Sequence, residues 1–353
     1  MLEYIQAARH LLEIWRHLSG AGKTESRRDV VLTSAGVKGL AHGQLTLTDR
    51  HLETFPHDRE SQLFKSLDPE LRKIFFYDNL RPKNDALVFY LHGLGLDQDD
   101  FYQVLLETKY RSIAPSLYGF HPNDSNPLSL PLEAHRHIIA RFIETKIAEI
   151  KPRKVVLVGF STGADLLRDL GAISIDPKLL CGVLLLDTNI NRETCFISRE
   201  LRRALDEDLS AIQLAQSIGS AATDISDWLD LHRYLVKVLG KYRGNLRHLA
   251  RFAASICDEH SSARIDQFTE RYKACLSLVA NSLFLFSKGD VHEALISNIN
   301  SCLLSENDSR RCIAWERETS HFGLIEANFL ERNVGGILAH RGSKGAAKEA
   351  KHV

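Results

Sequence analysis

Long apolar runs, paired cysteines and an excess of either charge are all missing from this 353-residue sequence. No apolar stretch approaches the roughly 20 residues that a membrane-spanning helix needs. Lys and Arg number 45 and Asp and Glu number 45. There is thus no basic excess to suit nucleic acid or an anionic membrane surface as the main partner. The six cysteines, at 181, 195, 257, 275, 302 and 312, form no C-x-x-C pair, so reduced thiols are expected in place of a disulfide framework or a zinc site. There is no H-E-x-x-H and no clustered carboxylate motif, so neither a metal nor a cofactor is expected. Residues 1–18 carry Glu3, Arg9, His10, Glu13, Arg16 and His17, unlike a secretory leader. Leu2, Ile5, Leu11, Leu12, Trp15 and Leu18 instead predict a short helix packed on the main body. A cytoplasmic location is the expectation. Ser19 to Thr24 imitates a phosphate-binding loop, but the position that requires glycine is His17 and a helix precedes it. This segment reads as a linker.

What is present is the composition of a globular protein, 44% hydrophobic and 25% charged. The stretch around which the chain is organised is Lys154 to Leu167. Its first half, Val155-Val156-Leu157-Val158, is the β-branched and aliphatic run of a strand buried on both faces. Ala164 to Leu170 reads as a helix. Between them lies Gly159-Phe160-Ser161-Thr162-Gly163, a serine in a sharp strand-to-helix turn with glycines where side chains would clash. Such a turn exposes the Ser161 hydroxyl at a helix N-terminus, where backbone N–H groups favour a developing negative charge.

Other elements follow in order. Val30–Thr33, Gln44–Thr48 and Lys73–Tyr77 alternate as antiparallel strands do. Asp68-Pro69-Glu70-Leu71 opens at most a helical turn. Ala86–Leu91 is a continuous apolar strand ending in His92-Gly93-Leu94-Gly95, and Ser112–Ala114 is another, followed by Pro115 and a turn-rich stretch from Gly119 to Pro127. Leu132–Ile150 has helical periodicity, and Cys181–Leu186 is a further buried strand ending at Asp187. About ninety residues separate it from the next strand, Ser282–Ser287, although a single crossover helix needs only a dozen or so. The intervening segments Ser198–Ala215, Asp224–Leu239, Asn245–Ile256 and Ala263–Leu278 repeat apolar residues at helical spacing. Arg311–Trp315 is the last strand, before Ser320-His321-Phe322 and a C-terminal helix to about Leu338.

Taken together, these marks in this order resemble the α/β-hydrolase fold superfamily over residues 40–335. The carriers are His92-Gly93-Leu94-Gly95, Ile113-Ala114-Pro115 with Tyr118-Gly119-Phe120, Gly159-Phe160-Ser161-Thr162-Gly163, Asp290 and Ser320-His321-Phe322. One departure is His121, where many relatives carry glycine. The resemblance implies an α/β fold, a mostly parallel central sheet flanked by helices, with a helical cap inserted after the sixth strand. The expected layout is an N-terminal helix and linker at 1–28, a core at 29–189 and 281–340, the cap at 190–280, and a disordered tail at 341–353.

Activating a serine hydroxyl requires an imidazole base held by a carboxylate on its other nitrogen. The superfamily's order of serine, acid and histidine implies Ser161, Asp290 and His321, with Asp187 as the alternative acid, since some relatives place it after the earlier strand. Asp187 with Thr188 and Asn189 fits a turn into the insertion equally well. The resemblance also implies an oxyanion hole built from the backbone N–H groups of Leu94 and Thr162. A serine at 161 sets the chain apart from relatives that use an aspartate nucleophile. The implied activity is a serine hydrolase acting on an ester or thioester of a small organic or acyl substrate through an acyl-enzyme, with amides and C–C bonds open to the same machinery. The alternatives are a non-catalytic protein of the same fold that binds a ligand or protein partner, and a scaffold whose helical insertion docks another protein. The expected partner is a small-molecule substrate, with no nucleic acid and no membrane span.

Overall fold

The centre of the fold is dictated by strands whose residues are apolar on both faces. Ala86–Leu91 (β3), Lys154–Phe160 (β5) and Leu180–Leu186 (β6) are almost entirely buried, the pattern expected when helices cover both sides of a parallel sheet. Ala41–Thr46 (β1) alternates between partly buried and exposed positions, as suits a strand at the sheet's edge. Lys73–Asp78 (β2), Arg111–Pro115 (β4), Asn281–Phe286 (β7) and Arg311–Glu316 (β8) complete, among the described residues, eight strands in the order β1-β2-β4-β3-β5-β6-β7-β8. The β1–β2 and β2–β4 pairs are antiparallel and all the others are parallel. The structure, a computed structural model, describes residues 40–339 apart from 54, 82–84, 122–127, 169–174, 221, 223–224, 243–245, 264–271, 273–278, 280, 289–295, 298–310 and 317–318. The expected N-terminal helix and linker, the strand at 30–33, most of the helix at 263–278 and the tail at 341–353 lie outside these residues.

Among the described residues the helices in chain order are α1 (Arg59–Ser66), α2 (Tyr102–Glu107), α3 (Leu132–Ile150), α4 (Thr162–Leu166), α5 (Phe196–Asp206), α6 (Ala211–Gly219), α7 (Ile225–Tyr242), α8 (Leu246–His260) and α9 (Ala327–Ala339). Helix α3 buries Leu132, Ile138, Ile139, Phe142 and Ile143. It stops where Lys151 turns left-handed and its N–H donates to the Ile147 carbonyl at 2.8 Å. Helix α1 escapes the sequence pattern because its buried face holds only Ser61 and Phe64. It is secured by Asp58, which accepts the Ser61 N–H at 2.9 Å, and by the Phe64 ring, set edge-on to Tyr118.

Helices α5 to α8 lie between β6 and β7, within the long insertion. The single helix expected over 198–215 is two, broken between Asp206 and Ala211. Ser210 explains the break: its hydroxyl accepts the Gln213 N–H while the Gln213 side chain accepts the Ser210 N–H, a capping box that starts a new helix. Among the described residues no helix is long and apolar enough to cross a membrane.

Candidate active site

Parallel register brings the chemistry to one edge of the sheet. Ser161 N–H donates to the Leu186 carbonyl at 2.7 Å, and Asp187 N–H donates to the Leu285 carbonyl at 2.8 Å. The residues just beyond β5 and β6 therefore emerge side by side at the strands' C-terminal ends, where open α/β sheets bind ligands. Ser161 has φ 52° and ψ −119°, a conformation that non-glycine residues adopt only where the surrounding chain enforces it. Two close approaches enforce it. A Cβ added to Gly159 would stand 2.6 Å from Ala164 Cα, and one added to Gly163 would stand 2.2 Å from the Leu91 carbonyl oxygen. Only glycine fits at either place. Ser161 consequently caps α4 from a strained turn, and Thr162 is that helix's first residue, with an N–H that no residue of its own helix accepts.

His321 lies in the loop after β8, where its backbone opens the turn Phe322–Ile325. Its Nδ1 stands 2.6 Å from Asp187 Oδ2, and its ring packs on Phe160, the neighbour of Ser161, at 4.5 Å between centroids. The other carboxylate oxygen, Asp187 Oδ1, accepts the Ser287 N–H at 2.7 Å. Asp187 is thus held at both oxygens, on a residue with φ 42° that is only 9% exposed. Asp290, the carboxylate favoured from the sequence, lies outside the described residues. The one placed on the imidazole is Asp187, the alternative, because β6 ends one residue earlier and its register with β7 aims the side chain at the loop after β8.

The loop after β3 lies against the serine. A Cβ on Gly93 would be 3.1 Å from Ser161 Cβ. His92 is fully buried and accepts the Leu117 N–H on Nε2 at 2.9 Å. Its proton therefore resides on Nδ1, which donates to the Gly93 carbonyl at 2.8 Å. That makes His92 a pin between the loops after β3 and β4. The same Gly93 carbonyl also accepts the Leu96 N–H at 3.2 Å. In a trans peptide the carbonyl and the following N–H point oppositely, so the Leu94 N–H faces away from His92. His121, the departure noted in the sequence, stacks its ring on Phe75 at 4.0 Å.

The insertion touches this edge at several points that sequence reasoning missed. Tyr234 of α7 donates its hydroxyl to the Leu94 carbonyl at 3.0 Å, and Lys237 reaches Asp97 at 3.1 Å and Asp100 at 2.5 Å. Burial alone lowers the Lys237 pKa, but the Asp100 and Asp97 carboxylates outweigh it and the net shift is upward. Asp230 accepts from the Ser320 hydroxyl next to His321. Glu259 of α8 bridges Arg136 of α3 and Arg168 beyond α4. Behind the elbow, the buried Asp165 accepts from Asn189 Nδ2 at 2.6 Å and faces His260 at 3.4 Å. Two further imidazoles, His135 and His248, are buried around Phe120. Burial, then the neighbouring His248 and His92, lowers the His135 pKa to about 3. Burial, then Arg251, lowers that of His248 to about 4.

The sequence profile described as the alpha/beta hydrolase family matches residues 88–321. No curated protein matches the sequence. Among solved structures, a membrane phospholipase A described as a bacterial virulence factor superposes with a TM-score of 0.55 at 15% identity, covering 97% of this chain and 100% of that one. AqDC, described as recognising and cleaving the ring of the Pseudomonas quinolone signal, superposes with a TM-score of 0.56 at 15% identity, covering 76% and 96%. A putative lipase from Acinetobacter baumannii gives 0.54 at 13% identity, covering 90% and 97%. At these identities the likeness is one of fold.

Proposed function

The chain belongs to the alpha/beta hydrolase family, and from that premise we propose that it is a serine hydrolase with Ser161 as nucleophile, His321 as base and Asp187 as the acid. The observation that carries the reading is the pairing of a strained serine turn with an imidazole whose Nδ1 lies 2.6 Å from a buried carboxylate. An ionised Asp187 holds the His321 proton on Nδ1, which leaves Nε2 free to take the Ser161 proton as the oxygen attacks a carbonyl carbon. The carbonyl oxygen then becomes an oxyanion, for which the N–H groups of Leu94 and Thr162 are the proposed donors. Collapse of this intermediate expels the leaving group, protonated by His321, and leaves an acyl group on Ser161. Water activated by the same imidazole releases the acid and restores the enzyme.

The proposed substrates are esters or thioesters of small organic or acyl groups. Amides and C–C bonds fall within the same machinery. Helices α5 to α8 are proposed to cap the site, a role supported by the contacts of α7 with the loops after β3 and β8. Ser161→Ala provides the test. Turnover of p-nitrophenyl butyrate should fall by about four orders of magnitude or more while the thermal unfolding midpoint holds. Near-normal turnover in that variant refutes the assignment.

A further inference from the structure

The loop after β3 is clamped from two directions, and only one of them belongs to the core. From the core, His92 fixes the Gly93 carbonyl. From the insertion, the Tyr234 hydroxyl fixes the Leu94 carbonyl at 3.0 Å. The Leu94 N–H shares its peptide plane with the Gly93 carbonyl, and Tyr234 anchors the next plane, that of the Leu94 carbonyl. Leu94 is thus held on both sides, and neither plane can turn without breaking one of the bonds. We propose that Tyr234 is a positioning residue of the oxyanion loop, by which helix α7 holds the Leu94 N–H in the orientation the transition state requires. This rests on the serine-hydrolase reading of the same edge.

The packing around Tyr234 supports the assignment. Gly95 has φ +76°, and a Cβ there would lie 2.9 Å from Val238 Cγ2 and 3.0 Å from the Tyr234 hydroxyl, so the helix meets the loop backbone directly. Burial, then the Asp100 carboxylate, raises the Tyr234 pKa, so the phenol keeps its proton and donates. One turn on, Lys237 grips Asp97 and Asp100 of the same loop. One turn back, Asp230 accepts from Ser320 beside His321, and the Tyr234 ring stacks on Phe322 at 5.4 Å. Residues 230, 234 and 237 share one helix face. A single face of α7 therefore ties the oxyanion loop to the base loop, which makes docking of this helix a condition for both to be in register.

Tyr234→Phe removes the hydroxyl and keeps the ring that stacks on Phe322. With p-nitrophenyl butyrate as substrate, kcat should fall about 10- to 100-fold, because a misaimed donor weakens transition-state binding alone. KM, inhibition by butyrate and the unfolding midpoint should each change little, by no more than about twofold for the two constants. The inhibition constant of a trifluoromethyl ketone, which forms a tetrahedral adduct with the serine, should rise by the same factor as kcat/KM falls. A residue serving packing alone would instead lower the midpoint, or move KM, without weakening the ketone selectively. If Tyr234→Phe is not recovered folded, Lys237→Met supplies the second case. Releasing α7 one turn away should again reduce kcat and ketone affinity together, and a shift in KM alone refutes the proposal. Wild-type turnover with an unaffected Tyr234→Phe overturns the role of Tyr234 only. A wild type that neither turns over the ester nor reacts with a fluorophosphonate overturns the reading of the whole site, and the proposal with it.

Discussion

Asp187→Asn isolates the electrostatic part of the proposed triad, because the structure determines which way the new amide must face. Asp187 accepts from the Ser287 N–H at 2.7 Å on one oxygen and from His321 Nδ1 at 2.6 Å on the other. An asparagine has one accepting oxygen, and the immovable backbone donor at Ser287 claims it. The amide NH2 is then directed at His321 Nδ1, which can only be an acceptor there, so the ring proton moves to Nε2. That nitrogen can no longer take the Ser161 proton. A wrong tautomer of this kind costs about 10⁴ in kcat. Folding should be nearly unaffected, with a change within about 1 kcal/mol, since asparagine tolerates the left-handed φ of 42° and keeps the Ser287 bond. Steady-state kinetics on p-nitrophenyl butyrate alongside thermal unfolding would measure both, with Asp290→Asn as the comparison. Near-normal kcat in Asp187→Asn with collapse in Asp290→Asn refutes this reasoning and assigns the acid to the later position.

Gly163→Ala places a methyl group 2.2 Å from the Leu91 carbonyl oxygen. Because backbone stands on both sides, a loss of about 3 kcal/mol or more is expected in urea unfolding, and a neutral result contradicts the elbow packing described. Acid should destabilise the protein through His135 and His248. Their folded-state pKa values, about 3 and about 4, lie below the ordinary 6.5. The unfolded chain therefore binds more protons below pH 6.5, and stability falls as pH drops from there toward 4. At pH 5.5 each imidazole should cost on the order of 1 kcal/mol relative to pH 8. Urea midpoints at the two pH values should show this, and His248→Gln should remove about half of the difference. An equal pH dependence in that variant speaks against the buried, neutral imidazole.

The strand–turn–helix around Ser161 is legible because its signals are local. A buried strand, two glycines and a following helix all lie within fourteen residues, and the clashes at Gly159 and Gly163 show why no other residue would do. The central strands are legible for the same reason, since β3, β5 and β6 are apolar on both faces. The acid at His321 is not, because Asp187 and Asp290 both follow strands, and what puts Asp187 on the ring is the pairing of β6 with a strand a hundred residues away. Likewise, Tyr234 and Lys237 look like ordinary helix residues until the fold brings them to a loop about 140 positions earlier. The break between α5 and α6 was readable in principle, since Ser210 and Gln213 carry the capping-box pattern, but the apolar periodicity running through it hides the stop.

The claim that Ser161 is a nucleophile is tested most directly by treating the folded protein with a fluorophosphonate and mapping the modified peptide by mass spectrometry. The account predicts a single adduct on Ser161 in the native protein, and no adduct after unfolding in urea or in Ser161→Ala, because the hydroxyl reacts only when the imidazole and the oxyanion donors surround it. A folded protein that remains unlabelled, or one labelled at another serine while Ser161 is untouched, contradicts it.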